Sequence, residues 1–475
     1  MRPAPRADTM LFDTPVYFGF LLLVVLVYWR LHRRGQNFML LAASYFFYGW
    51  WDWRFLALIL GSTAMDYLIA QAIGRAADGE RRRRLLILSL SANLGLLGLF
   101  KYFGFFVQSL MSAAATLGLR DLPVPVFQVV LPLGISFYTF QEIAYVVDVY
   151  KGKQAPAHSF VDYALFVSLF PHLISGPIQR PHHLLGQVQN PRHFDRTQFF
   201  DGLMLIALGL FRKCVIADNF APMANAAFRG ELGSSFAASM IGAVSFAFQI
   251  YGDFSGYTDL ARGSAKLLGF EFMVNFRRPY LAASLRDFWR RWHISLSSWL
   301  RDYLYIPLGG NAGSRLQTMR NLMLTMLLGG LWHGANWTFL VWGGIHGSVL
   351  AVERAATGSR WQLPPALLRP LLRVMALIAV TVAWLFFRAE SLDVAVAMVG
   401  GFGHLAWDAR LLPMLEVMAL LGIAVLGLDL LLETREEEYP LQRRPEYGMF
   451  VAVLLLITTV VYGASEANAF IYFQF

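Results

Sequence analysis

Apolar runs recur along the whole chain: Tyr17 to Trp29, Leu85 to Phe100, Leu203 to Leu210, Phe236 to Phe248, Val374 to Phe387, Met414 to Leu432 and Phe450 to Tyr462. Several approach the ~20 residues an α-helix needs to cross a bilayer, and others fall short of it. The pattern predicts an all-α polytopic membrane protein with roughly ten to twelve spans or partial spans. No polar linker divides the runs, so they read as a single domain over residues 10–475, with residues 1–9 an N-terminal extension before Met10. The first run ends in Tyr28-Trp29-Arg30 without a small-residue cleavage site, which predicts a retained span.

The middle of the chain breaks this regularity. Pro171-His-Leu-Ile-Ser-Gly-Pro177 interrupts an apolar run with two prolines and a glycine, which leaves open a re-entrant segment or a loop between spans. From Asn275 to Tyr305 arginines alternate with aromatic residues. On a helix starting at Ser284, Arg286, Arg290 and His293 fall at spacings of four and three and so share a face. Two readings stay open for that helix: an interfacial amphipathic element with snorkelling arginines, or the wall of a pocket for an anionic donor. Gly329, Gly330 and Gly334 flank Leu331-Trp332-His333, which predicts close helix approach and a narrow passage to the histidine. The stretch Glu433 to Glu446 reads as a surface loop of mixed charge.

Charge adds a topology. The net charge is +9, and the arginines cluster beside apolar spans, at Arg30, Arg33 and Arg34 and at Arg81 to Arg84. By the positive-inside rule the basic loops are cytoplasmic and the N-terminus is outside, which makes nucleic acid the weaker explanation of the charge. With 57% hydrophobic and 15% charged residues, the chain lies far from soluble composition. Cys214 is the sole cysteine, so an intrachain disulfide and a thiolate metal cluster are both excluded.

The candidate chemistry rests on histidine. His293 and His333 each follow a tryptophan inside an apolar stretch, and an ionisable group at membrane depth is a functional candidate by default. Phosphate-loop, zincin and nucleophile-elbow motifs are absent. What remains is general-base chemistry, in which a neutral imidazole takes the proton of a hydroxyl as its oxygen attacks a thioester. Asn336 or the Trp332 indole could hydrogen-bond the ligand. Spacing alone leaves His172, His182, His183 and His346 as competitors, and their spacings match no standard metal site.

Several segments are recognisable together: Gly252-Asp-Phe-Ser-Gly-Tyr-Thr-Asp-Leu260, Asn275-Phe-Arg-Arg-Pro-Tyr280, the long run Asp287 to Asn311, Gly330-Leu-Trp-His-Gly-Ala-Asn-Trp337, Leu131 to Gln141 and Ser175-Gly-Pro-Ile-Gln-Arg180. In these the chain resembles the membrane-bound O-acyltransferase (MBOAT) family, in its bacterial alginate O-acetyltransferase branch. The resemblance implies a ring of helices around a central tunnel, His333 as the catalytic histidine and His293 as a second histidine supporting binding or geometry. It further implies a donor side at the basic stretch, with Arg277, Arg278, Arg286, Arg290 and Arg291 as substrate-binding residues beside Trp332 and Asn336. Acetyl-CoA or another acyl thioester is the expected co-substrate, with no bound cofactor and no metal. The expected partners are membrane lipids and an exported polysaccharide or a periplasmic SGNH-type acetyltransferase, and the expected location is the bacterial inner membrane, multi-pass. A lipid, peptidoglycan or secondary-metabolite acceptor is the alternative, and a proton-coupled transporter is the rival class.

Overall fold

The structure is a computed structural model and describes residues 10–119, 130–174, 176–357, 365–406, 408–440, 442, 444–464, 470 and 471. The N-terminal extension, residues 1–9, lies outside the described residues. Helices are the only regular elements among them. Four helical stretches, Arg33–Arg75, Gly79–Thr116, Pro370–Arg388 and Ala409–Arg435, are long and apolar enough to cross a membrane by length and composition. The chain separates into two compact units: residues up to Asp195 with Leu267–Phe272, and Arg196–Lys266 with Met273–Phe475.

The first unit holds α1 (Pro15–Tyr28), α2 (Arg33–Asp52), α3 (Leu56–Arg75), α4 (Gly79–Leu97), α5 (Ile135–Tyr150) and α6 (Phe160–Ser168). The first apolar run became α1 nearly as read, with the Thr14 hydroxyl accepting from Tyr17 N–H at 3.3 Å and Pro15 opening the helix. Leu22, Leu23 and Leu26 project outward from it, as a lipid-facing surface requires. Inside the unit, buried Asp66 accepts from Ser89 Oγ at 2.6 Å and Asn93 Nδ2 at 2.7 Å. Pro171 lies in the first turn of a one-turn helix, Phe170–Leu173, so the chain is broken there.

The second unit holds α7 (Arg196–Leu210), α8 (Phe236–Leu267), α9 (Leu285–Arg291), α10 (Ile294–Leu300), α11 (Arg315–His333), α12 (Trp337–Thr357), α13 (Pro365–Arg388), α14 (Leu412–Arg435) and α15 (Pro445–Tyr462). Helix α8 runs nearly twenty residues past the apolar run that marks its start, because its polar half is buried and paired. Asp259 meets Arg212 at 2.5 Å, and Asp253 meets Lys213 at 2.9 Å. Lys213 also meets Asp218 at 2.8 Å, and the second Asp253 oxygen accepts from Ile471 N–H at 2.7 Å.

The stretch after Glu433 is not the free surface loop its charge suggested. Glu433 is still helical in α14 and pairs with Arg278 at 2.7 Å and Arg291 at 3.0 Å. Glu437 is buried, and Glu438 pairs with Arg262. The carboxylates of Glu433 and Glu438 are met by arginines that lie more than 140 residues away in sequence.

Candidate active site

The site is organised by the short helix α9. The Ser284 hydroxyl accepts from Asp287 N–H at 3.2 Å, and Glu353, reaching from α12, accepts from Leu285 N–H at 2.6 Å and Arg286 N–H at 3.1 Å. These three bonds satisfy the N–H groups that a helix start leaves open. The helix then stops at Arg291. Trp292 is extended, and His293 adopts a left-handed backbone with φ 43° before α10 begins. Such a conformation costs a residue with a Cβ about 1–2 kcal/mol, so it persists where neighbours hold it. Here Arg277 N–H donates to the Arg291 carbonyl at 2.8 Å, and Ile294 N–H donates to the Asn275 carbonyl at 2.9 Å. The helix face expected to carry Arg286, Arg290 and His293 together therefore does not exist. The turn sends His293 inward, while both arginines remain at the surface.

His293 is fully buried, and its Nδ1 lies 3.0 Å from the Asn275 side-chain oxygen. That oxygen also accepts from the N–H and hydroxyl of Ser295, at 3.2 and 2.8 Å. An amide oxygen can only accept, so Nδ1 carries the proton and Nε2 keeps its lone pair. No protein partner among the described residues meets Nε2. Burial lowers the pKa of this imidazole, which lies outside the apolar spans, and so favours its neutral form.

His333 is the last residue of α11 and is also buried, its ring centre 6.4 Å from that of His293. Trp332 stands beside both histidines, 5.0 Å from His333 and 6.0 Å from His293. Trp342 and Phe387 close the other sides of His333 at 5.0 and 5.1 Å. The expected close helix approach is present: a Cβ on Gly330 would stand 2.2 Å from the Phe339 carbonyl oxygen. The expected passage at Gly334 is not, because the Phe339 ring fills that space, 2.0 Å from where a Cβ would sit.

The other proposed binding residues divide. Arg286 and Arg290 line a cavity of about 760 Å³, together with Arg301, Arg354, Trp289 and Glu353. Arg278 and Arg291 are tied to Glu433, and Arg291 also to Asp287 at 3.1 Å, so they anchor α14. Arg277 is exposed and outside the cavity. Asn336 works as a helix cap: its oxygen accepts from Thr338 N–H at 3.1 Å, and its amide donates to the Glu390 carbonyl at 3.1 Å. Among the competing histidines, His172 is buried with both ring nitrogens engaged, by Gln141 and the Phe166 carbonyl. His183 bonds the Glu271 carbonyl at 2.8 Å. Asn275, Ser295, Glu353 and Trp342 were not singled out from the sequence, although Asn275 opens a recognisable motif there.

Comparison with known proteins identifies the family. Residues 155–399 match the family model of the membrane-bound O-acyltransferases. The chain is similar to a probable alginate O-acetylase of Azotobacter vinelandii, 46% identical over 82% of this chain and 77% of that protein. It is also similar to the peptidoglycan O-acetyltransferase of Helicobacter pylori, 38% identical over 83% and 80%. Similarity to a teichoic acid D-alanyltransferase of Streptococcus thermophilus is lower, 28% over 47% of this chain and 57% of that protein.

Proposed function

Since the chain belongs to the membrane-bound O-acyltransferase family, we propose that it moves an acetyl group from acetyl-CoA, at the arginine-lined cavity, toward an exported polysaccharide. The observation that carries this reading is the buried pair of imidazoles 6.4 Å apart, one with its tautomer fixed by Asn275. A hydroxyl between them reaches a ring nitrogen at hydrogen-bond distance, about 2.6–3.2 Å. His333 takes the hydroxyl proton as the oxygen attacks the thioester carbonyl. The C–S bond then breaks, and the proton passes to the departing thiolate. The attacking hydroxyl has one proton and gives it to His333, so the Nε2 lone pair of His293 accepts from a second donor on the acceptor molecule and orients it.

The cavity supports a polyanionic donor, since four arginines line it against the single carboxylate of Glu353. We place this face in the cytoplasm and the protein in the inner membrane as a multi-pass enzyme, in keeping with the basic loops beside its spans. Relatives named for alginate and peptidoglycan support a sugar-polymer acceptor, reached directly or through a periplasmic SGNH-type acetyltransferase.

The test is the acetyl-ester content of the exported polymer in a deletion strain complemented with wild type or His333→Ala. The variant should accumulate in the membrane normally and lose activity by about 10²–10⁴. Acetylation near the wild-type level would remove His333 from the mechanism. Complete loss with His293→Ala against only partial loss with His333→Ala would exchange the two roles.

A further inference from the structure

His333 is not among the residues that line the arginine cavity, yet a thioester bound there must reach it. Between the two lies one aromatic layer. Trp289, on the cavity wall, packs 5.2 Å from His346 and 5.7 Å from Trp342. His346 and Trp342 stand 4.7 Å apart, and Trp342 is 5.0 Å from His333. His346 and Trp342 are 0% and 1% exposed.

The layer is apolar in shape but not in chemistry. Both ring nitrogens of His346 and the indole nitrogens of Trp289 and Trp342 meet no hydrogen-bond partner among the described residues. Buried polar atoms are ordinarily paired, and leaving them unpaired is unfavourable. The neighbouring indoles can only donate, whereas a neutral imidazole needs both a donor and an acceptor. A residue kept only to fill the space would be better served by phenylalanine, as at Phe288, whose ring stacks 6.3 Å from His346.

We propose that the Trp289–His346–Trp342 layer is the inner passage for the arm of the acyl donor, and that the His346 nitrogens bind that arm as its thioester comes against His333. The inference rests on the O-acyltransferase reading of the site. An arm containing secondary amides offers an N–H to the acceptor nitrogen of His346 and a carbonyl to its N–H or to an indole. The nucleotide phosphates stay at Arg286 and Arg290. Donor recognition thus divides between a charged outer part and a neutral inner part, and Trp289 turns aside to connect them.

The experiment uses the purified full-length protein and two probes: acetyl-CoA, and adenosine 3′,5′-bisphosphate, which carries phosphates but no arm. His346→Phe should weaken acetyl-CoA binding about 10- to 100-fold and leave the bisphosphate unchanged. His346→Gln, which keeps a donor and an acceptor, should recover most of the loss. Trp342→Phe deletes one nitrogen of the layer and should show the same division at about 3- to 10-fold, whether or not His346→Phe accumulates. Variants that bind both probes like wild type overturn the proposal, as does loss of both probes in step with a lowered Tm. Wild-type protein that neither binds acetyl-CoA nor transfers acetyl overturns the donor reading itself, and it does so before any variant is made.

Discussion

Two buried polar clusters in the second unit contrast with each other. Around Lys213 every charge is matched by protein: Asp218 and Asp253 hold the ammonium at 2.8 and 2.9 Å, and Ile471 N–H takes the remaining Asp253 oxygen. Around His293 and His346, ring nitrogens meet no protein partner among the described residues. The first cluster is complete in the folded chain alone. The second leaves donor and acceptor positions open, and that difference separates the two clusters more sharply than burial does, since both are buried.

The largest expected effect is at the complete cluster. Lys213→Met strands two buried carboxylates, a change of about 3–5 kcal/mol. Against a total stability of about 5–15 kcal/mol, that should strip the protein from the membrane fraction on an immunoblot. A Lys213→Met protein present at wild-type level but inactive would erase the contrast.

Next comes Asn275, where positioning alone is at stake. Asn275→Ala removes the acceptor for His293 Nδ1 and for Ser295, and should lower kcat by about 10- to 100-fold while changing the donor KM little. Asn275→Asp keeps an acceptor and should retain more activity than alanine. A rise in KM alone would mean that Asn275 shapes binding.

Smaller still are the cavity arginines. Arg286→Gln and Arg290→Gln should each raise the donor KM a few-fold, because contacts to remote phosphates form before the transition state. The rise should shrink with added salt, which screens exposed charge. An unchanged KM at low salt would leave these two residues an anchoring role at the membrane surface. The smallest effect belongs to Arg277, exposed and outside the cavity: Arg277→Gln should alter KM by less than about twofold, and a larger change in the same titration would place it on the donor's path.

These contrasts also show what the sequence made legible. The helical architecture followed from apolar runs, and α1 and α14 lie close to where hydrophobicity placed them. The Trp-His settings of His293 and His333 stood out because polar residues in apolar stretches are costly. What stayed hidden is long-range or conformational. A left-handed non-glycine residue leaves no mark in a periodicity, so the helix through Arg286 was read past its true end at Arg291. Glu433 lies 142 residues from Arg291, and no local pattern announces that they meet. Asn275 opens a recognisable motif, but nothing local to it shows that it meets His293 until the chain folds the two together.

Helix α12 carries Trp342, His346 and Glu353 at intervals of four and seven residues, along a single stripe. One packs against His333, one lies against Trp289 and Trp342, and one caps α9. The stripe cannot creep along its neighbour, because a Cβ on Gly343 would already press to 2.3 Å of the Met326 carbonyl oxygen in α11. Two rods touching backbone to backbone thus act as a gauge block. They fix the spacing of Trp342, His346 and Glu353 as one length, and any residue that thickens the seam shifts all three together.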